Sequence, residues 1–175
     1  FNDTTNARRG LRARDLDGNL VYEIVLPSTS DDIGPYQVAD DGTIYAFMKK
    51  GSDYQVYIYT LSDGSYTETG SFGPGGPNSG NFSSAVLSRG LLSISPVSGK
   101  IFLKEDNYAQ FGAVVSIFDS AGTLLGTLDT NGILAPTLEG GVQYVKALAG
   151  HDGTGEVWIR GNYGVNAGTT SQWFK

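Results

Sequence analysis

Few side chains in this chain could do chemistry, and their spacing limits what that chemistry could be. His151 is the only histidine, and Asp152 follows it directly. A His-Asp couple can move protons, but catalytic partners meet in space and need not be neighbours in sequence. Here the pair opens the run His151-Asp152-Gly153-Thr154-Gly155, which reads as a turn between strands carrying a solvated histidine. Cysteine is absent, so thiol nucleophiles, disulfides and zinc-thiolate sites are excluded together. With a single histidine, a catalytic zinc or non-haem iron would need a ligand set made almost wholly of carboxylates, which is atypical for those metals.

Hard oxygen ligands around a glycine turn are what calcium takes, and Asp15-Leu16-Asp17-Gly18-Asn19 is the best such candidate, with Asp15, Asp17 and Asn19 as ligands. Placing Gly18 at the sixth position of an EF-hand loop puts Ala13 at the first position and Ile24 at the twelfth, so that match fails. A shorter repeat-type calcium loop stays open beside the preferred reading, an Asp-Gly hairpin turn. No other cofactor is expected. Paired carboxylates for glycoside hydrolysis could come from Asp31, Asp32, Asp40, Asp41, Asp53, Glu105 and Asp106, although acids at such turns usually accept backbone N–H groups. No nucleophile elbow, Walker loop or dinucleotide fingerprint occurs, and Gly73-Pro74-Gly75-Gly76-Pro77 precedes no helix that could cradle phosphate.

The densest basic spot is Arg8, Arg9, Arg12 and Arg14. It could grip a phosphate or an acidic glycan, or simply form a polar strand face and turn, which is the preferred reading. A formal net charge of −6 and a pI near 4.6 lack the basic stripe of a nucleic-acid binder. No apolar run approaches the roughly 18 residues of a membrane-crossing helix. Trp173 is either a stacking platform for a sugar or a residue whose packing partner lies outside the chain, the second being preferred.

These residues must be positioned by strands, because helical periodicity is nearly absent. Short segments rich in β-branched and aromatic residues occur at 20–26, 43–48, 55–61, 91–94, 100–103, 113–119, 123–128, 142–148 and 156–160. Several carry two or three apolar residues in a row, which suits strands covered on both faces and so favours stacked sheets. Asp17-Gly18, Asp41-Gly42, Asp63-Gly64 and Asp152-Gly153 are strong hairpin signals, because glycine adopts positive φ without steric cost. Glycine, at 25 of 175 residues, is about twice as common as usual.

Two spacings recur. A turn glycine followed by a β-branched residue and an aromatic appears as Gly42-Thr43-Ile44-Tyr45, Gly99-Lys100-Ile101-Phe102 and Gly155-Glu156-Val157-Trp158, at intervals of 57 and 56 residues. A second glycine turn, at Gly64 and at Gly122, follows the first by 22 and 23 residues. By its repeat position, Trp158 is expected in the core with Tyr45 and Phe102. The stretch 70–81 reads as an insertion loop.

Such units resemble β-propeller repeats. The run Asp41-Gly42-Thr43-Ile44-Tyr45-Ala46 resembles the strand motif of NHL-type and quinoprotein-type blades, and Phe111-Gly112-Ala113-Val114 is similar to the start of an FG-GAP repeat. The resemblance implies a fold and no ligand. The Gly-Lys-x-x-Trp blade ending is missing after Gly64 and Gly122, as is the full FG-GAP calcium loop after Phe111, so no quinone cofactor or integrin-like role is implied.

The expected architecture is therefore all-β, with β-propeller-like repeats of four-stranded antiparallel units in one domain, 1–175. It comprises a half-unit 1–34, units 35–90 and 91–141, and a half-unit 142–175, forming an incomplete ring. The turn due after Gly155 would fall near position 178, and the one due before Gly18 would precede Phe1. Phe1, without methionine or leader, suggests a processed, excised or partly built chain. The expected function is non-catalytic: a structural or recognition module of an extracellular, cell-surface or virion assembly, contacting other copies or other assembly proteins through its terminal strands. A carbohydrate-binding lectin and a glycan-active enzyme with a site on the propeller-top loops are the alternatives.

Overall fold

The computed structural model describes residues 2–3, 8–106, 113–129, 142–150, 157–163 and 170–174. Fourteen strands and one helical turn are formed among them. The strands are β1 (Asn2–Asp3), β2 (Arg8–Arg14), β3 (Leu20–Val25), β4 (Asp32–Val38), β5 (Ile44–Lys50), β6 (Asp53–Ser62), β7 (Ser65–Phe72), β8 (Leu91–Ile94), β9 (Ile101–Asp106), β10 (Ala113–Phe118), β11 (Leu124–Asp129), β12 (Val142–Gly150), β13 (Val157–Tyr163) and β14 (Thr170–Phe174). The helix, α1 (Val86–Arg89), lies between β7 and β8. Strands consecutive in the chain pair antiparallel within four sheets, β1-β2-β3, β4-β5-β6-β7, β8-β9-β10-β11 and β12-β13-β14. The protein is all-β, and two of its sheets are four-stranded meanders.

Turn chemistry explains the pairing. Asp63 and Gly64 both have positive φ (51° and 75°), the requirement of a two-residue type I′ turn, and they join β6 to β7. Gly18, Gly42 and Gly122 share a different device. In each, the glycine N–H donates to the carbonyl three residues back, and the residue carrying that carbonyl donates its own N–H to the carbonyl just past the glycine. The pairs are Gly18 to Asp15 and Asp15 to Asn19, Gly42 to Ala39 and Ala39 to Thr43, and Gly122 to Asp119 and Asp119 to Thr123, all at 2.8–3.0 Å. This is a type I turn closed by a glycine at positive φ, with φ of 85–86° in all three. A register shift sits beside it in β2-β3 (Ala13/Arg14) and in β10-β11 (Ile117/Phe118), as a bulge requires. Gly153 lies outside the described residues.

The second strand of each four-stranded sheet shows why the recurring β-branched–aromatic pair is needed. In β5, Ile44, Ala46 and Met48 face a cluster with Ile24, Leu26, Tyr57 and Tyr59, shared with the β2-β3 hairpin. Tyr45 and Phe47 point the other way, into a cluster with Val56, Phe72, Phe82, Leu92, Ile101, Leu103 and Phe118, shared with the next sheet. In β9, Ile101 and Leu103 face back into that second cluster, and Phe102 lies on the opposite side, where β12 approaches β8 and β9. The β-branched member of the motif thus packs on the preceding sheet and the aromatic member on the following one. Burying each of these large side chains stabilises the fold by about 2 kcal/mol before entropy is counted. Successive first strands are also neighbours, β4 lying against β8 and β8 against β12.

Several elements depart from the expectations. Asp32–Val38, with Gly34 and Pro35 inside it, forms strand β4. It is the edge of its sheet, where the missing proline N–H costs no ladder bond. The stretch expected as a loop from Gly70 begins later, because Gly70–Phe72 complete β7 and Phe72 is fully buried. The loop that follows is itself part of the core: Phe82 and Val86 fill the gap between the sheets, and the Phe82 N–H donates to Tyr54 O at 2.9 Å. The Phe82 ring meets Phe47 and Phe118 edge-on, at 5.8 and 6.1 Å between centroids. Trp158, placed in the core by its repeat position, is half-buried.

Gly122 and Gly18 occupy the same turn in different surroundings, which separates backbone strain from packing. A Cβ on Gly122 would overlap the Phe72 ring, whereas a Cβ on Gly18 would meet nothing within 4 Å. Gly18→Ala is expected to cost about 1 kcal/mol from positive φ alone. Gly122→Ala should cost about 3 kcal/mol or more, because overpacking adds to that strain. Urea unfolding of the two variants measures the difference, and equal losses would contradict this account of the inter-sheet contact.

Candidate functional site

Most of the carboxylates that could have carried chemistry are holding backbone together. Asp15 Oδ1 accepts the N–H groups of Asp17 (3.0 Å) and Asn19 (2.8 Å), and Oδ2 accepts the Asn19 side-chain amide (3.0 Å). Asp119 does the same work for Ala121 and Thr123, and Asp41 for Thr43. These bonds favour the ionised form, so all three acids titrate below the usual aspartate value, Asp15 chiefly through Asn19 and the other two chiefly through Thr123 and Thr43. Asp31 joins two loops, accepting the N–H groups of Ser28 (3.1 Å) and Gly51 (2.8 Å). Asp32 pairs with Arg9. Asp53 accepts the Ser52 hydroxyl, at 3.4 Å.

Asp15, Asp17 and Asn19 are therefore brought together, but as an Asx-stabilised hairpin tip rather than an open ring of oxygens. Among the described residues, no three His, Asp, Glu or Cys side chains converge as a metal-ligand set. His151 lies outside the described residues, and so do the side chains of Asp106 and Trp173. The backbone of Trp173 is placed: it belongs to β14, opposite Arg160 of β13.

Glu105 differs from the other acids. Burial pushes its carboxyl above the usual glutamate range, opposed in part by the N–H of Ser83. Lys104 beside it is almost wholly buried and donates to Arg89 O at 3.3 Å. Both residues anchor the α1 segment to β9. On β5, Lys50 lies over the Tyr57 ring at 3.9 Å and pairs with Glu68. Burial, with the Glu68 charge adding to it, raises the Tyr59 hydroxyl well above the ordinary tyrosine value.

Two of the clefts on the described surface lie between packed strands. One, of about 530 Å³, lies between adjacent sheets at the turn end, lined by Val38, Asp40, Asp41, Tyr45, Val97 and Ser120 among others. The Tyr45 hydroxyl donates to Ser120 O at 3.0 Å and so ties the two sheets across the floor. The other, of about 420 Å³, lies between β2 and β4 and contains Arg9, Arg12, Asp32 and Tyr36. Two members of the arginine cluster meet acids here or nearby: Arg9 pairs with Asp32, and Arg12 with Glu23 at 3.1 Å. Comparison of the chain with protein-family models and with curated proteins finds no match.

Two measurements follow from this geometry. With both Asp15 carboxylate oxygens occupied by N–H donors, thermal stability is expected to be the same in calcium and in chelator. A calcium-dependent rise of several degrees would restore the calcium loop. For Glu105, a folded-state pKa above the unfolded value means that the folded protein holds the proton more tightly, so stability falls as pH rises from about 4.5 through the folded pKa. Glu105→Gln, which keeps an acceptor for Ser83, should remove that fall and leave the variant the more stable protein at neutral pH. Denaturant titrations between pH 4 and 8 test it.

Proposed function

We propose that this chain is a run of β-propeller-like blades acting as a non-catalytic structural or recognition module of a larger assembly, of the extracellular, cell-surface or virion kind. The blade reading is supported by meander sheets packed face to face through alternating aromatic positions, with first strands β4, β8 and β12 following one another. The non-catalytic reading is supported by the use made of the acids, since Asp15, Asp31, Asp41 and Asp119 spend their acceptor capacity on backbone N–H groups.

One observation carries the assembly role. The β2-β3 hairpin turns Ile24 and Leu26 inward, yet Val21 and Val25, on its other face, are 46% and 42% exposed. Leu16 and Leu20 at its tip are exposed as well. By contrast, both faces of β5 are covered, by Ile24 and Leu26 on one side and by Leu92, Ile101 and Phe118 on the other. Glu23, paired with Arg12, falls between Val21 and Val25 on this face, so it offers a partner exposed apolar side chains on either side of a cross-strand ion pair.

Light scattering on the 175-residue chain is expected to show association, and Val21→Glu combined with Val25→Glu should shift it at least tenfold toward monomer. A stable, monodisperse, fully folded monomer for the unmodified chain would overturn the proposal.

A further inference from the structure

The cleft between β2 and β4 has a chemistry that the assembly role does not use. Gly10, Leu11, Ile33 and Gly34 form part of its lining, and the absent Cβ of Gly34 makes room for Leu87 and Phe47 on the core side. One wall carries Tyr36, whose side chain stands at the surface in a residue 51% exposed. On the same strand, Asp32 pairs with Arg9 of β2, so donors and acceptors are held side by side across the two strands.

Charge decides among ligands. A phosphate or acidic glycan would need arginine charge not already matched by an acid, but of the two arginines in the lining Arg9 pairs with Asp32 and Arg12 with Glu23, just outside it. A cation meets the same balance. A neutral polyol does not need net charge, because its vicinal hydroxyls both donate and accept, and a guanidinium–carboxylate pair offers both functions at fixed spacing. The apolar C–H face of a pyranose ring needs a flat partner, and a tyrosine ring presents an apolar body with a polar tip. A volume of about 420 Å³ falls in the roughly 300–1,000 Å³ range of small-molecule sites.

We infer that this cleft is a subsite for a neutral sugar, with one ring stacked on Tyr36 and two adjacent hydroxyls bridging Arg9 and Asp32. The inference is independent of the assembly role, since the cleft is built within one chain and its ligand contacts, Arg9, Asp32 and Tyr36, are not those of the Val21–Val25 face, although Gly10 of its lining pairs with Val25 across the hairpin.

The test begins with the intact chain on an array of neutral and acidic oligosaccharides, followed by saturation-transfer NMR with the strongest neutral binder. The expected result is binding of at least one neutral oligosaccharide, with transfer concentrated on the C–H face of one ring and a shift of the Tyr36 ring resonances. Tyr36→Ala should weaken binding at least tenfold and Tyr36→Phe should retain it, with unfolding temperatures unchanged. Val97→Ala, in the other cleft, should bind as the unmodified chain does. Should Tyr36→Ala fail to fold, the Tyr36 resonances of the unmodified chain decide the matter alone. Absence of any glycan binding, binding confined to acidic glycans and displaced by inorganic phosphate, or neutral-glycan binding that leaves Tyr36 unaffected would each overturn the inference.

Discussion

Two-sided burial of a short strand is the constraint on which the rest of this structure depends. Ile44, Tyr45, Ala46, Phe47 and Met48 are consecutive, and every one of them is buried. Alternate side chains of a strand leave on opposite faces, so five consecutive buried residues require a packed layer on each side. The β2-β3 hairpin supplies one layer, and the β8-β11 sheet, with Phe82 and Val86, supplies the other. Neither neighbour is optional, because removing either would leave aromatic and aliphatic surface of β5 in water. Face-to-face stacking is the arrangement that satisfies a sequence written in this way.

Close stacking then restricts the turns. The tip of the β10-β11 hairpin packs on the neighbouring sheet, Gly122 against Phe72 and Ser120 O against the Tyr45 hydroxyl, so that connection must be short and self-satisfied. An aspartate at the first position of such a turn accepts two N–H groups that would otherwise need water. This explains why acids are frequent at the hairpin tips, and why their frequency is not a sign of catalysis. The Tyr66 hydroxyl, donating to Gly42 O at 3.0 Å, secures a third tip in the same spirit. The outer face of the first hairpin and the cleft where β2 meets β4 are among the described surfaces that the stack leaves open.

Much of the strand inventory was readable from local pattern. The segment 91–94 forms a strand with those limits, and the other described segments shift by one to three residues at their ends, as fraying and ladder extension produce. Strand β4 was not readable, because Gly34 and Pro35 are turn signals in isolation and become acceptable only at a sheet edge. The core role of Phe82 was hidden in the same way, inside a segment whose glycines and prolines mark a loop. For the candidate sites, the aspartate turns were visible in outline, whereas the cleft with Tyr36 was not.

Sequence alone determined the all-β class, the hairpin turns at Gly18, Gly42 and Gly64, and the recurrence of the β-branched–aromatic pair. These rest on φ preferences and on a two-residue side-chain period, both properties of contiguous residues. Tertiary structure alone decided that Arg9 meets Asp32, that Glu105 is desolvated beside Ser83, and that Tyr36 stands over an open cleft. Each of those depends on where a distant strand passes. No local propensity specifies that path, because it is set by which apolar faces the whole chain must cover at once.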